Sequence, residues 1–255
     1  MAIEKVYIIN NTGIMHDEII AQRLGLIPIK ADPRKFDWKM GAEDPPTDLN
    51  TIVLSMDVTC KLNTKASTNA VHPSERYVNS NVYSGDLTWI PQGGQEDAFK
   101  DAPVKPIHED ILITKLRPGQ TVQIEAHCQK GIGKEHAKWS PVATASYRLL
   151  PEIMILKPIP SELCHKFQSC FPKGVIKVEK DKKGKYTASV DDARNDTVSR
   201  EVLRHHEFKD HVLLTRKRDH FIFNIESTGI LPPDTLFLEA VDILIEKCNT
   251  VKKAL

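Results

Sequence analysis

Pro232-Pro-Asp-Thr-Leu-Phe237-Leu-Glu-Ala-Val241-Asp-Ile-Leu244-Ile-Glu-Lys-Cys248-Asn-Thr-Val251-Lys-Lys-Ala-Leu255 is the stretch from which the rest of the sequence is best read. The prolines stand where a helix tolerates them, in its first turn, because the N–H they lack has no intrahelical partner there. Phe237, Val241, Leu244, Cys248, Val251 and Leu255 then recur at alternating steps of four and three, an unbroken heptad seam. Leu238 and Ile245 lie beside that seam, and Leu236, Ala240 and Ile243 form a second apolar stripe. A single apolar face suffices to dock a helix on its own domain. Two adjoining faces predict burial from two directions, by the chain's own sheet and by a second chain. The alternative is a central helix of one core.

Working back from this helix, Asp219-His-Phe-Ile-Phe-Asn-Ile-Glu226 alternates as a strand does, with Phe221 and Phe223 expected on a buried side. Val175–Glu179 and Tyr186–Val190 read as a hairpin about Asp181-Lys-Lys-Gly184, whose lysines mark a solvated tip. Val142–Leu150 reads as a strand ended by Pro151. Between Ala31 and Pro141 the character changes. Prolines and glycines recur, and strand-like runs (Thr51–Val58, Ile111–Leu116, Thr121–Ala126) lie between them, the pattern of a small β-rich domain. At the N-terminal side, Glu4–Ile9 is a strand closed by Asn10-Asn-Thr-Gly13. Asp17 and Glu18 then open a helix, with Gly25 as its left-handed terminus and Pro28 as its stop. The fold class expected is α+β.

The composition excludes several classes. Lys and Arg number 35 against 34 Asp and Glu in 255 residues, so the net charge of +1 gives no global positive field for nucleic acid. Apolar runs such as Ile52–Leu54 fall far short of the roughly 18 residues that span a membrane. Cys60, Cys128, Cys164, Cys170 and Cys248 form no paired framework, which favours free thiols and a reducing compartment. The first residues read as a strand rather than a secretory leader.

No catalytic constellation emerges. Gly131-Ile-Gly133-Lys134 is followed by Glu135 where a phosphate-binding loop needs Ser or Thr. His127-Cys128 with His136 lacks the spacing that fixes a tetrahedral ion. Asp191-Asp192 sits in turn-like sequence. Cys164-x5-Cys170-Phe-Pro172 is similar to the closing phrase of a bacterial-type ferredoxin, but a cluster needs four thiolates and two are within reach. A structural remnant without iron is expected.

Three segments carry a resemblance to a known family. Asp17-Glu-Ile-Ile-Ala-Gln-Arg-Leu-Gly-Leu-Ile-Pro28, Gly131-Ile-Gly-Lys-Glu-His-Ala-Lys-Trp-Ser-Pro-Val-Ala143 and Phe221-Ile-Phe-Asn-Ile-Glu-Ser-Thr-Gly-Ile-Leu-Pro-Pro233 resemble, in order and nearly without gaps, segments of the α-like subunits of cellular RNA polymerases. The sequence is most similar to the larger α-like subunit shared by eukaryotic polymerases I and III. Family members carry a further strand and helix ahead of the strand matching Met1–Ile9, so Met1 is expected to correspond to an internal position of the family pattern.

The resemblance implies a dimerisation domain from residues 1–30 and 142–255, with a ferredoxin-like remnant at about 152–215 and a β-rich domain, 31–141, inserted. It implies a non-catalytic subunit that pairs with a smaller α-like subunit and nucleates assembly of the two large catalytic subunits, in the nucleus including the nucleolus. DNA is then met only through the complex, and no metal or cofactor is carried over. Phe237, Val241, Leu244, Cys248 and Val251 are the expected pairing contacts. By family position Ile19, Ile20, Arg23 and Leu24 serve dimer packing and large-subunit docking, and Lys134, His136, Lys138 and Trp139 serve large-subunit contact. Two rivals remain: a redox module on Cys164 and Cys170, and a stand-alone binder of single-stranded nucleic acid.

Overall fold

The computed structural model describes residues 1–39, 41, 43–66, 71–182 and 184–254. Runs of consecutive strands in several sheets are joined by a few helices, so the fold is α+β. The chain divides into two compact units, residues 1–144 with 226–255, and residues 145–225. Among the described residues no helix is long and apolar enough to cross a membrane.

The first unit opens with β1 (Ala2–Asn11), α1 (Asp17–Gly25) and β2 (Ile29–Lys30). There follow β3 (Ile52–Thr59), β4 (Lys61–Leu62), the single turn α2 (Pro73–Arg76), β5 (Tyr77–Val78), β6 (Asn81–Tyr83), β7 (Thr88–Ile90), the turn α3 (Gln95–Ala98), β8 (Lys105–Pro106), β9 (Leu112–Lys115) and β10 (Thr121–Gln129). Four strands form the main sheet in the order β1-β10-β3-β7. In β3 the alternation is carried through to burial, with Ile52, Leu54, Met56 and Val58 inside. Antiparallel pairing sets Ile124 of β10 opposite Met56 of β3 on one side and Ile8 of β1 on the other. Each such aliphatic side chain taken from water contributes roughly 1.5–3 kcal/mol. Because β1 is hydrogen-bonded to β10, residues near the start of the chain share a sheet with the 121–129 segment. The compact units divide at 144/145 and 225/226, whereas the resemblance implies boundaries at 30/31 and 141/142.

Helix α1 lies against β1. Ile20 and Leu24, one turn apart, are completely buried in the sheet's core, while Ile19 remains 45% exposed. Gly25 is the last helical residue and not a left-handed terminus. The turn closes instead through Leu26 N–H to Arg23 O and Ile27 N–H to Leu24 O, at 3.2 and 3.1 Å.

The second unit carries β11 (Val142–Ile155) from Ala145 onward, α4 (Cys164–Ser169), the hairpin β12 (Ile176–Lys180) and β13 (Tyr186–Val190), and β14 (Val212–Ser227) up to Ile225. Its core is built on Phe167, in edge-on contact with Phe171 and Phe208 at 5.2 and 5.3 Å between ring centres. The expected hairpin is present, with Ile176 opposite Val190, and Gly184 supplies the positive φ of its turn, while Lys183 lies outside the described residues. Pro151 does not end its strand. β11 pairs with β14 alone, and an edge strand tolerates a residue without an N–H. Phe221 and Phe223 of β14, expected inside, are about half exposed.

Candidate partner interface

Helix α5 (Pro233–Ala254) runs for 22 residues, and none of them is buried. Pro233 stands in its first turn, and Leu236 N–H bonds Pro232 O at 3.0 Å. Along the seam Phe237 is 38% exposed, Val241 41%, Leu244 61% and Val251 61%, and Cys248 is exposed as well. Leu255, the last seam position, lies outside the described residues. The neighbouring Leu238, Ile243 and Ile245 are exposed too. The reading of α5 as a central helix of one core is therefore overturned, because none of its described residues is buried. Glu239 accepts from Arg34 Nη1 at 2.7 Å, and Arg34 is itself held by Asp32 at 2.8 Å. The hydrogen bond from Arg34 holds the Asp32 carboxyl below its ordinary value.

A second surface is the 131–140 loop, between β10 and β11. Trp139 Nε1–H donates to Gln129 O at 3.0 Å, and the indole lies over Gly131 so closely that a Cβ there would stand 2.3 Å from two of its carbons. Lys138 Nζ donates to Ile3 O at 2.9 Å, forms an ion pair with the Glu4 carboxylate, and lies 4.5 Å from the Trp139 ring centre. His136 Nδ1 accepts from Lys138 N–H at 3.1 Å, capping the short turn Ala137–Trp139. Lys134, Glu135 and His136 face solvent, as does Ile132 at 44% exposure.

The thirteen residues expected at interfaces thus fall into three groups. Phe237, Val241, Leu244, Cys248, Val251, Ile19, Lys134 and His136 are exposed. Arg23 is exposed but its guanidinium donates to Leu112 O at 2.5 Å, tying α1 to β9. Ile20, Leu24, Lys138 and Trp139 are engaged by the chain itself: the first two are sealed in its core, and the other two brace the loop. Position in the family motif does not distinguish a contact from the scaffold beneath it.

Exposed aromatics were missed in the sequence. Tyr147 of β11 touches Phe221 and Phe223 of β14 at 5.5 and 5.7 Å between ring centres, and all three are at least half exposed. The alternation of β14 reveals that Phe221 and Phe223 share a side, but it carries no signal for which side is covered.

The cysteines are free thiols, and the two of the ferredoxin-like stretch are bonded to backbone carbonyls. Cys164 Sγ donates to the carbonyls of Tyr186 and Pro160 at 3.5 Å, and Cys170 Sγ donates to Lys166 O at 3.2 Å. Burial pushes both thiols above their ordinary value, the direction opposite to that of a thiolate ligand. His127 Nε2 is 2.8 Å from Glu125 Oε1 and packs on Tyr7, while burial pushes the Cys128 thiol up to about 12. Among the described residues no group of three or more His, Cys, Asp or Glu is placed to hold a metal ion.

Residues 6–149 match the family model described as the RNA polymerase Rpb3/RpoA insert domain. Over 249 residues, 98% of this chain and 72% of the relative, the sequence is 51% identical to the Mus musculus DNA-directed RNA polymerases I and III subunit RPAC1. It is 50% identical over 255 residues to the Saccharomyces cerevisiae protein of the same description, covering 75% of it. A more distant relative, subunit Rpo3 of the DNA-directed RNA polymerase of Methanosphaera stadtmanae, is 31% identical over 256 residues and 83% covered.

Proposed function

The chain belongs to the family of α-like subunits of DNA-directed RNA polymerases, and from that premise we propose that it pairs through α5 with a smaller α-like subunit to nucleate polymerase assembly. It is a non-catalytic subunit of the polymerase I and III type, in the nucleus, and its partners are other polymerase subunits. Phosphoryl transfer and its metal ions belong to other chains. The finer reading places the exposed seam of α5 against the smaller subunit, and Ile19, Lys134 and His136 against the large ones. On this reading DNA is met only through the complex, and the nucleolus is part of the chain's range.

One observation carries the pairing role: a 22-residue helix with a continuous apolar seam and no buried residue. An apolar surface of that extent on a soluble chain marks a protein contact. Co-expression with the smaller α-like subunit, followed by light scattering on the purified species, tests it. A 1:1 complex is expected. Monomer or aggregate beside unpaired partner refutes the pairing.

A nucleic-acid reading is favoured by one specific observation, the exposed Tyr147–Phe221–Phe223 cluster, with Lys217 at an alternate position of the same strand β14. Stacking platforms of this composition bind single strands. The scaffold reading expects no retention of a labelled 12-mer RNA at 150 mM salt. Retention that is lost in Phe221→Ala/Phe223→Ala would move the function to nucleic acid.

A further inference from the structure

Loop 131–140 contains two glycines, and the structure treats them differently. Neither adopts a positive φ, so neither is required for backbone conformation. At Gly133 an added Cβ would meet Ser140 at 3.5 Å, an ordinary contact. At Gly131 it would stand 2.3 Å from Trp139 Cδ2 and Cε2, inside the indole. Gly131 is therefore specified by the ring that lies on it, and the ring is held in turn by the Gln129 carbonyl and by Lys138. Lys138 completes the brace by reaching across to the Ile3 carbonyl and the Glu4 carboxylate of β1.

The braced segment is the shared wall of two concavities. One, of about 300 Å³, is bounded by Glu4, Val6, Gln22, Leu26 and His136. The other, of about 470 Å³, is bounded by Leu26, Pro28, His108, Ala137 and Ile230. Leu26, 57% exposed, and Lys138 border both. The outer side of the loop offers Ile132, Lys134 and His136, whereas its inner side is spent on self-contact.

We propose that Gly131, Lys138 and Trp139 are positioning residues that pre-organise the 131–140 loop, so that Ile132, Lys134 and His136 meet a large polymerase subunit in one fixed geometry. This rests on the assembly function proposed above and assigns Lys138 and Trp139 a role different from direct contact. Ordering a loop before association removes that cost from the binding step. A loosened loop therefore weakens docking while leaving α5 and its pairing untouched.

The test uses the full 255-residue chain, co-expressed with the smaller α-like subunit and the two large subunits, with two readouts. Amide hydrogen exchange at 132–138 reports the brace on the chain alone, and capture of the large subunits reports its consequence. Gly131→Ala is expected to speed exchange in the loop about tenfold and to weaken capture by about tenfold, with pairing to the smaller subunit unchanged. Gly133→Ala is expected to change neither. Because the penalty at Gly131 comes from the indole, Gly131→Ala added to Trp139→Ala is expected to cost nothing beyond Trp139→Ala alone, an outcome that general misfolding does not produce. Unchanged exchange in Gly131→Ala overturns the brace. Faster exchange with undiminished capture overturns its docking role. A wild-type chain that pairs with nothing overturns the proposed function and the docking role together, and exchange in the free chain tells that failure apart from failure of the brace.

Discussion

The most direct perturbation of the pairing reading is the double substitution Val241→Ala/Leu244→Ala in the middle of α5. In the free chain these side chains are 41% and 61% exposed, and no residue of the helix is buried. Their truncation leaves no cavity, so the thermal midpoint of the chain alone is expected to stay within the scatter of ordinary surface substitutions, about 0.5 kcal/mol. In the complex the exposed fractions are what a partner covers. Full burial of a Val or Leu side chain contributes roughly 1.5–3 kcal/mol, so covering about one side chain's worth of surface in total amounts to about 1.5–3 kcal/mol of pairing free energy. At 1.4 kcal/mol per decade this is a roughly 10- to 150-fold increase in Kd. Isothermal titration of the smaller α-like subunit into wild-type and variant chains measures it, with thermal melts of each chain as control. An unchanged Kd refutes the seam as the contact. A melting midpoint lowered by several degrees refutes the premise that α5 lies outside the chain's own cores.

Further outcomes follow from the same structure. A thiol reagent is expected to label Cys248 quickly in the folded chain while Cys60, Cys128, Cys164 and Cys170 react only on unfolding, since all four are buried and burial raises their thiol pKa values; pairing is then expected to protect Cys248. Mass spectrometry of labelled peptides checks both statements. Ile20→Ala and Leu24→Ala, each opening a cavity under α1, are expected to destabilise the chain by about 2–5 kcal/mol, whereas Ile19→Ala leaves denaturant unfolding unchanged. The Asp32 carboxyl, held low by Arg34, is expected to titrate below its ordinary 3.8 and to return toward it in Arg34→Ala. Its folded value is the depressed one, so the stabilisation it gives is complete above 3.8 and is lost as pH falls through the folded value; carbon-detected NMR of the carboxyl follows the midpoint.

What the sequence conveyed was periodicity, and what it withheld was which side of each period is covered. The steps of four and three through Phe237, Val241, Leu244, Cys248 and Val251 located α5 and its seam, because side-chain spacing is a local property. The exposure of that seam depends on what the rest of the chain leaves uncovered. The same limit applies to Phe221 and Phe223, and to Ile19 beside Ile20, where adjacent residues part company at the core boundary. Pairing of β1 with β10 joins residues more than a hundred positions apart, and no local pattern encodes it. Gly131 had a visible identity and an invisible reason, since only the folded loop brings Trp139 over it.

The exposure of α5 has a consequence for its own order. Helices without tertiary packing are marginal in water, and most helical stability in proteins comes from a buried face. Here the first turns are fastened by Pro233, by the Leu236–Pro232 hydrogen bond and by the Glu239–Arg34 ion pair, while Ile243, Leu244, Ile245 and Val251 are all half exposed or more. Stability should therefore fall along the helix from its anchored start toward Ala254. Amide exchange in the free chain is expected to be slower at Val241 than at Val251, with both slowed strongly once the partner covers the seam. Uniform protection along α5 in the free chain would show that the helix needs no partner to hold it, and would sever its order from pairing. A graded profile that disappears on complex formation ties the two together, because the apolar surface that makes α5 adhesive is the same surface whose exposure leaves it poorly held.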